Sequence, residues 1–114
     1  MERYKNNIYQ LAEEFELSAE ELNELYSTYI IDIKECIKNI EVFYMDKLWS
    51  ELFRNIHNIK GMTANLRLDD VFQESNKLCK GLKEGNIPSR NNIDKFCKLL
   101  EESCKEISCL FVDI

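Results

Sequence analysis

Apolar residues return every three or four positions through most of this chain, and no stretch alternates with a period of two. That spacing paints one stripe along an α-helix and is incompatible with a half-buried strand. One stripe runs through Leu22, Leu25, Tyr26, Tyr29, Ile33, Cys36, Ile37 and Ile40, and a second through Leu48, Trp49, Leu52, Ile56, Ile59, Thr63 and Leu66. A third uses Val71, Phe72, Ser75, Leu78, Cys79 and Leu82, and a fourth Ile93, Phe96, Cys97, Leu100, Cys104, Ile107 and Phe111. Four amphipathic helices joined by short connections predict an all-α, antiparallel up-down-up-down four-helix bundle.

Local signals place the ends. In Leu17-Ser18-Ala19-Glu20-Glu21-Leu22, Ser18 and Glu21 can form a reciprocal capping box, with Leu17 stapled onto Leu22, so a helix starts at Ala19. Asp46 is the expected cap of the second helix and Ser89 of the fourth, while Gly85-Asn86 followed by Pro88 ends the third. The expected bundle helices cover about 19–42, 46–66, 70–84 and 90–111. A weaker helix over about 2–15 carries Ile8, Leu11, Ala12 and Phe15 on one side. It is too short to gain much alone and is expected to lie across the bundle, where it would cover Ile30 and Ile31 beside the main stripe. No repeat or linker divides the chain, so 1–114 reads as a single domain.

With 45% hydrophobic residues, 32% charged residues, three Gly and one Pro in 114 residues, the chain has the material for one core. Its apolar runs are far shorter than the roughly 18 residues that span a bilayer, and the first residues lack a signal peptide's apolar region, so a cytoplasmic protein is expected. A formal charge of −6 disfavours nucleic acid and anionic membranes as partners. The five cysteines, Cys36, Cys79, Cys97, Cys104 and Cys109, include no Cys-x-x-Cys pair and read as reduced, with Cys97 and Cys104 as small hydrophobes of a stripe. Trp49, Phe53 and Phe72 continue apolar stripes and read as core or its rim. The acidic run Glu13, Glu14, Glu16, Glu20, Glu21 and Glu24 reads as a solvated helix start without a site.

One constellation can carry chemistry. The single histidine, His57, lies in the middle of the second long helix. At about 100° per residue it falls roughly 130° from the centre of the apolar arc, at the border of core and solvent. Lys60 and Gly61 stand one turn on and Ala64 two turns on, so the imidazole overlooks small residues with one ammonium in reach. Glycine inside a helix costs roughly 0.5–1 kcal/mol relative to alanine, a cost that access by a partner would explain. Between Leu52 and Leu68 the charged residues are Arg54, Lys60 and Arg67, with no carboxylate, which favours an anion at His57. Neutral imidazole is a nitrogen nucleophile near neutral pH, and Lys60 can screen the oxygens of a phosphoryl group passing on or off that nitrogen.

His57-Asn58-Ile59-Lys60-Gly61, followed by Ala64-Asn65-Leu66 and Leu68, resembles the His-x-x-Lys-Gly pattern of histidine-containing phosphotransfer (HPt) domains. Asp46-Lys47-Leu48-Trp49 resembles the start of that family's histidine-bearing helix, and 78–84 before Gly85-Asn86-Ile87 the end of its partner, so that residues 22–111 lie along such a bundle. One departure is Arg67, where many members have Gly: either it adopts a left-handed cap or the junction differs. The resemblance implies a phosphocarrier of a two-component phosphorelay, without kinase activity of its own. His57 would be the phosphoacceptor and Lys60 the charge screen, with Phe53, Arg54, Asn58, Gly61 and Ala64 on the docking face. Its partners would be a response-regulator receiver domain or a hybrid histidine kinase. It implies no cofactor and no metal here, the Mg²⁺ belonging to the receiver, and a monomer is expected. Two other classes fit the same residues: the phosphoacceptor domain of a chemotaxis-type histidine kinase, and a helical module that binds a receiver or kinase without carrying phosphate. Met1 followed by an accessory helix suggests a free-standing protein.

Overall fold

The computed structural model describes residues 3–111, and among them the regular structure is entirely helical. The helices are α1 (Lys5–Glu14), α2 (Ala19–Met45), α3 (Trp49–Asn65), α4 (Asp69–Lys83) and α5 (Arg90–Leu110). α2 packs on α3 and α5, α3 on α4, and α4 on α5, the ring of an antiparallel four-helix bundle. The molecule measures 42 × 22 × 21 Å. At 1.5 Å per residue α2 is about 40 Å long and spans that whole length. Residue 2 and the end of the chain after Phe111, over which helix was expected or left open, lie outside the described residues.

The stripes meet in one core. Tyr26, Ile33, Ile40, Leu52, Ile56, Ile59, Val71, Ile93, Leu100 and Ile107 have essentially no exposed surface. The core's buried polar residues, Asn55, Thr63, Ser75 and Ser103, are all hydrogen-bonded, whereas Glu106 Oε2 is buried without a hydrogen-bond partner among the described residues. Ser103 donates to the Leu100 carbonyl at 2.7 Å, which leaves its oxygen to accept from the Tyr29 hydroxyl at 2.9 Å and ties α2 to α5. Asn55, which its polarity hid from the hydrophobic pattern, is buried and donates to the Cys36 carbonyl at 3.0 Å, fixing α3 on α2. Leu25, expected in the stripe, is instead 42% exposed, and Phe15 lies beyond the last turn of α1 in solvent.

The capping box at Ser18 and the Ser89 cap form as expected. Asp46 does not cap α3. It is the C-cap of α2, which runs on past Val42 to Met45, and α3 starts at Trp49 behind Leu48 without a side-chain cap. The reason is a backbone device. Lys47 takes a left-handed conformation (φ 56°), and Leu48 N–H bonds to the Phe43 carbonyl at 2.8 Å, closing the helix end with its own amides. Glu16, Arg67 and Gly85 close α1, α3 and α4 in the same way.

α1 covers a different surface from the one expected. Ile31 is 69% exposed, and Tyr4, Ile8 and Leu11 are buried instead at the end of the bundle where α2 begins, α3 turns into α4 and α5 finishes. Polar contacts fix that seat: Asn7 donates to the Arg67 carbonyl and to Asp69, both at 3.1 Å, and Tyr4 donates to Asp70 at 3.2 Å.

Candidate functional site

α3 turns Leu52, Ile56, Ile59 and Thr63 inward, and helical geometry then presents the intervening residues outward. His57, Arg54, Asn58, Gly61 and Ala64 are all exposed, and Phe53 and Lys60 are half-buried. The residues singled out from the sequence therefore share one outer surface. The Phe53 ring lies 5.7 Å from the imidazole, centroid to centroid, with 17° between their planes. This stacking one turn back limits the imidazole's tilt while leaving its edge to solvent. A Cβ built at Gly61 would meet nothing within 4 Å beyond its chain neighbours and the backbone of its own helix, so the space one turn on is open.

The charge around His57 differs from the sequence expectation. Arg54 pairs with Glu51 at 3.3 Å, a carboxylate one residue before the stretch that has none, and Arg67 pairs with Glu14 of α1 at 2.6 Å. Both guanidinium charges are thus offset. Among the described residues Lys60 makes no ion pair, and its charge acts on the Cys79 thiol of α4 against the larger effect of burial. Local positive charge at His57 rests on Lys60 alone of the three.

Arg67 does adopt the left-handed cap, at φ 59°, with Leu68 N–H bonded to the Thr63 carbonyl at 2.9 Å. A side chain there is strained. Its surroundings hold it: Glu14 takes the guanidinium, Asn7 binds the Arg67 carbonyl, and the Tyr26 hydroxyl donates to the Leu66 carbonyl at 2.8 Å. Sequence reasoning missed Asn7, Glu14 and Tyr26 because nothing local marks a contact made from another helix.

Four of the five thiols offer no competing nucleophile, and the fifth, Cys109, is exposed on α5. All five are free, and burial pushes Cys36 and Cys97 up to about 11 and raises Cys79 and Cys104, so these four stay protonated at neutral pH. Among the described residues no group of three or more His, Cys, Asp or Glu side chains could hold a metal ion, and no helix is long and apolar enough to cross a membrane.

Comparison with curated proteins and with solved structures gives no match. The family model of the Hpt domain matches residues 24–108, from the first turns of α2 to the last turn of α5, and leaves α1 outside. With well over half of the chain matched and the four-helix bundle in place, the chain belongs to the Hpt domain family, whose members serve histidine phosphotransfer in two-component signalling.

Proposed function

We propose that this chain is a phosphocarrier in which His57 accepts a phosphoryl group from the phospho-aspartate of a receiver domain, or from a hybrid histidine kinase, and returns it to a receiver's aspartate. The observation that carries this reading is the exposed imidazole of His57, stacked on Phe53, with Lys60 in no ion pair among the described residues and open space over Gly61. The unprotonated ring nitrogen attacks phosphorus, the N–P bond forms as the acyl phosphate P–O bond breaks, and the aspartate carboxylate leaves. The other ring nitrogen carries the proton and exchanges it with water. Lys60 screens the phosphoryl oxygens as charge gathers on them. Arg54, Asn58, Gly61 and Ala64 form the face that the receiver covers, with Phe53 beneath the imidazole. The chain itself holds no cofactor and no kinase activity in this scheme, and the Mg²⁺ stays with the receiver. It acts as a monomer in the cytoplasm.

Incubation with a phosphorylated receiver domain and Mg²⁺ tests this. One label is expected, stable in base and labile in acid as an N–P bond is. His57→Gln should abolish it and leave the melting temperature unchanged, because an exposed side chain contributes little burial. Label persisting in that variant overturns the proposal, and a wild-type chain that binds the receiver without taking label is a pure interaction module.

A further inference from the structure

The extra apolar surface that the sequence placed at Ile30 and Ile31 is left uncovered by α1. Ile31 is 69% exposed. Beside it runs a groove of about 540 Å³ between α2 and α5, to which α3 contributes nothing. Ile30 and Ile37 form its floor on the α2 side, and Lys34 and Lys38 stand one helical turn apart on that rim, facing Lys105 on α5. Glu101 is the one carboxylate in the lining.

The charge here runs against the rest of the molecule. The chain carries −6 overall, yet this groove has three ammonium groups and one carboxylate. Every arginine, Arg3, Arg54, Arg67 and Arg90, is paired with a carboxylate. Among the described residues Lys34, Lys38 and Lys105 make no ion pair, although 21 acidic residues were there to supply one.

We infer that the α2–α5 groove is a second docking surface, fitted to an acidic amphipathic helix of a partner protein. A trough between two helices accepts the apolar ridge of a third, whereas a peptide added as a β-strand needs a sheet edge, which the described residues lack, and a polyproline segment needs an aromatic-lined groove, which this one is not. Apolar side chains at i, i+3 or i+4 and i+7 meet Ile30 and Ile37, and carboxylates flanking that ridge meet Lys34 and Lys38 on one rim and Lys105 on the other. Because α3 takes no part, a partner held here leaves His57 open. The groove is thus a place for tethering a carrier to one assembly while its imidazole serves another protein. This inference does not depend on phosphoryl transfer.

The probes are two synthetic helices with the same leucines at i, i+3 and i+7, one flanked by glutamates and the other by lysines, titrated into the full chain by amide NMR. The glutamate helix should shift the resonances of Ile30, Ile37 and Lys105 and bind roughly tenfold more tightly than the lysine helix, the scale of a few exposed charge pairs. Its affinity should fall as salt is raised. The double variant Lys34→Glu, Lys38→Glu should reverse the preference, and since both side chains are exposed, its circular dichroism should match the parent. Should that variant fail to fold, Lys34→Gln with Lys38→Gln should abolish the preference instead. Shifts confined to α3, equal affinities, or a preference unchanged in the folded variants overturns the proposal. So does a concentration-dependent dimer that closes the groove with a second copy of the chain.

Discussion

Along the inward face of α3, Leu52, Ile56, Ile59 and Thr63 have no exposed surface, while along the outward face His57, Asn58, Gly61 and Ala64 are all in solvent. The same seventeen residues therefore answer to two sets of physical demands. Inside, each methylene is in contact with its neighbours, and even Thr63 is satisfied, its hydroxyl donating to the Ile59 carbonyl at 2.8 Å. Outside, residues are held by little except the helix itself, and the imidazole stacks on Phe53. Stability is concentrated on one side and the proposed chemistry on the other, so substitutions on the two faces should separate the two properties.

The largest effect on stability belongs to the core. Ile56→Ala removes a fully buried side chain next in sequence to His57 and should cost about 2–5 kcal/mol, the range for such cavities. Denaturant unfolding measures it. The rate of phosphoryl transfer, read well below the variant's melting temperature, should change little, because the outward face keeps its backbone. If transfer falls in step with Ile56 truncation while the chain stays folded, the two faces are coupled and the separation fails.

Next comes Lys60, which is half-buried at the boundary of the two faces. Lys60→Ala should slow transfer to and from a receiver by ten- to a hundredfold, about 1–3 kcal/mol of transition-state stabilisation for one charge-assisted contact. The single label on His57 should still form. Single-turnover kinetics with a phosphorylated receiver provide the test, and an unchanged rate would make Lys60 a solvated charge whose proximity to His57 is incidental.

The two faces were also unequally legible in the sequence. His57, Lys60 and Gly61 lie within one turn of one helix, so their juxtaposition follows from the 3.6-residue period. Ser18, Gly85 and Ser89 were readable for a similar reason, since a cap bonds residues only three to five apart. Asp46 misled because two endings compete at that corner: the left-handed Lys47 satisfies the last carbonyls of α2 from the backbone, which a sequence pattern does not display. Arg67 left two possibilities open, and the choice was made by Glu14, Asn7 and Tyr26, all distant in sequence. The same holds for the seat of α1 and for the charge balance at His57, where Glu51 and Glu14 offset Arg54 and Arg67. Periodicity tells which residues share a face. It does not tell which other helix meets that face or with what charge.

Gly61 gives the smallest effect and the sharpest division between the faces, because the two consequences of replacing it have opposite signs. Gly61→Ala places a methyl group that meets nothing within 4 Å beyond its chain neighbours and the backbone of its own helix, so it brings no clash and should stabilise the helix by up to about 1 kcal/mol through propensity and a less flexible unfolded chain. Gly61→Gln puts a longer side chain into the same open space one turn from His57. It too should fold, with a melting temperature at or near that of the parent, yet it should impair receiver-dependent labelling by occupying the volume through which the partner approaches. Melting and labelling measured on the same two variants decide the matter. A Gln variant that unfolds would mean that this face is packed rather than free, and one that transfers phosphate at the parent rate would mean that the receiver reaches His57 from the Phe53 side of the helix instead. Stability retained with transfer impaired is the one combination that a solvent-facing glycine kept for access produces.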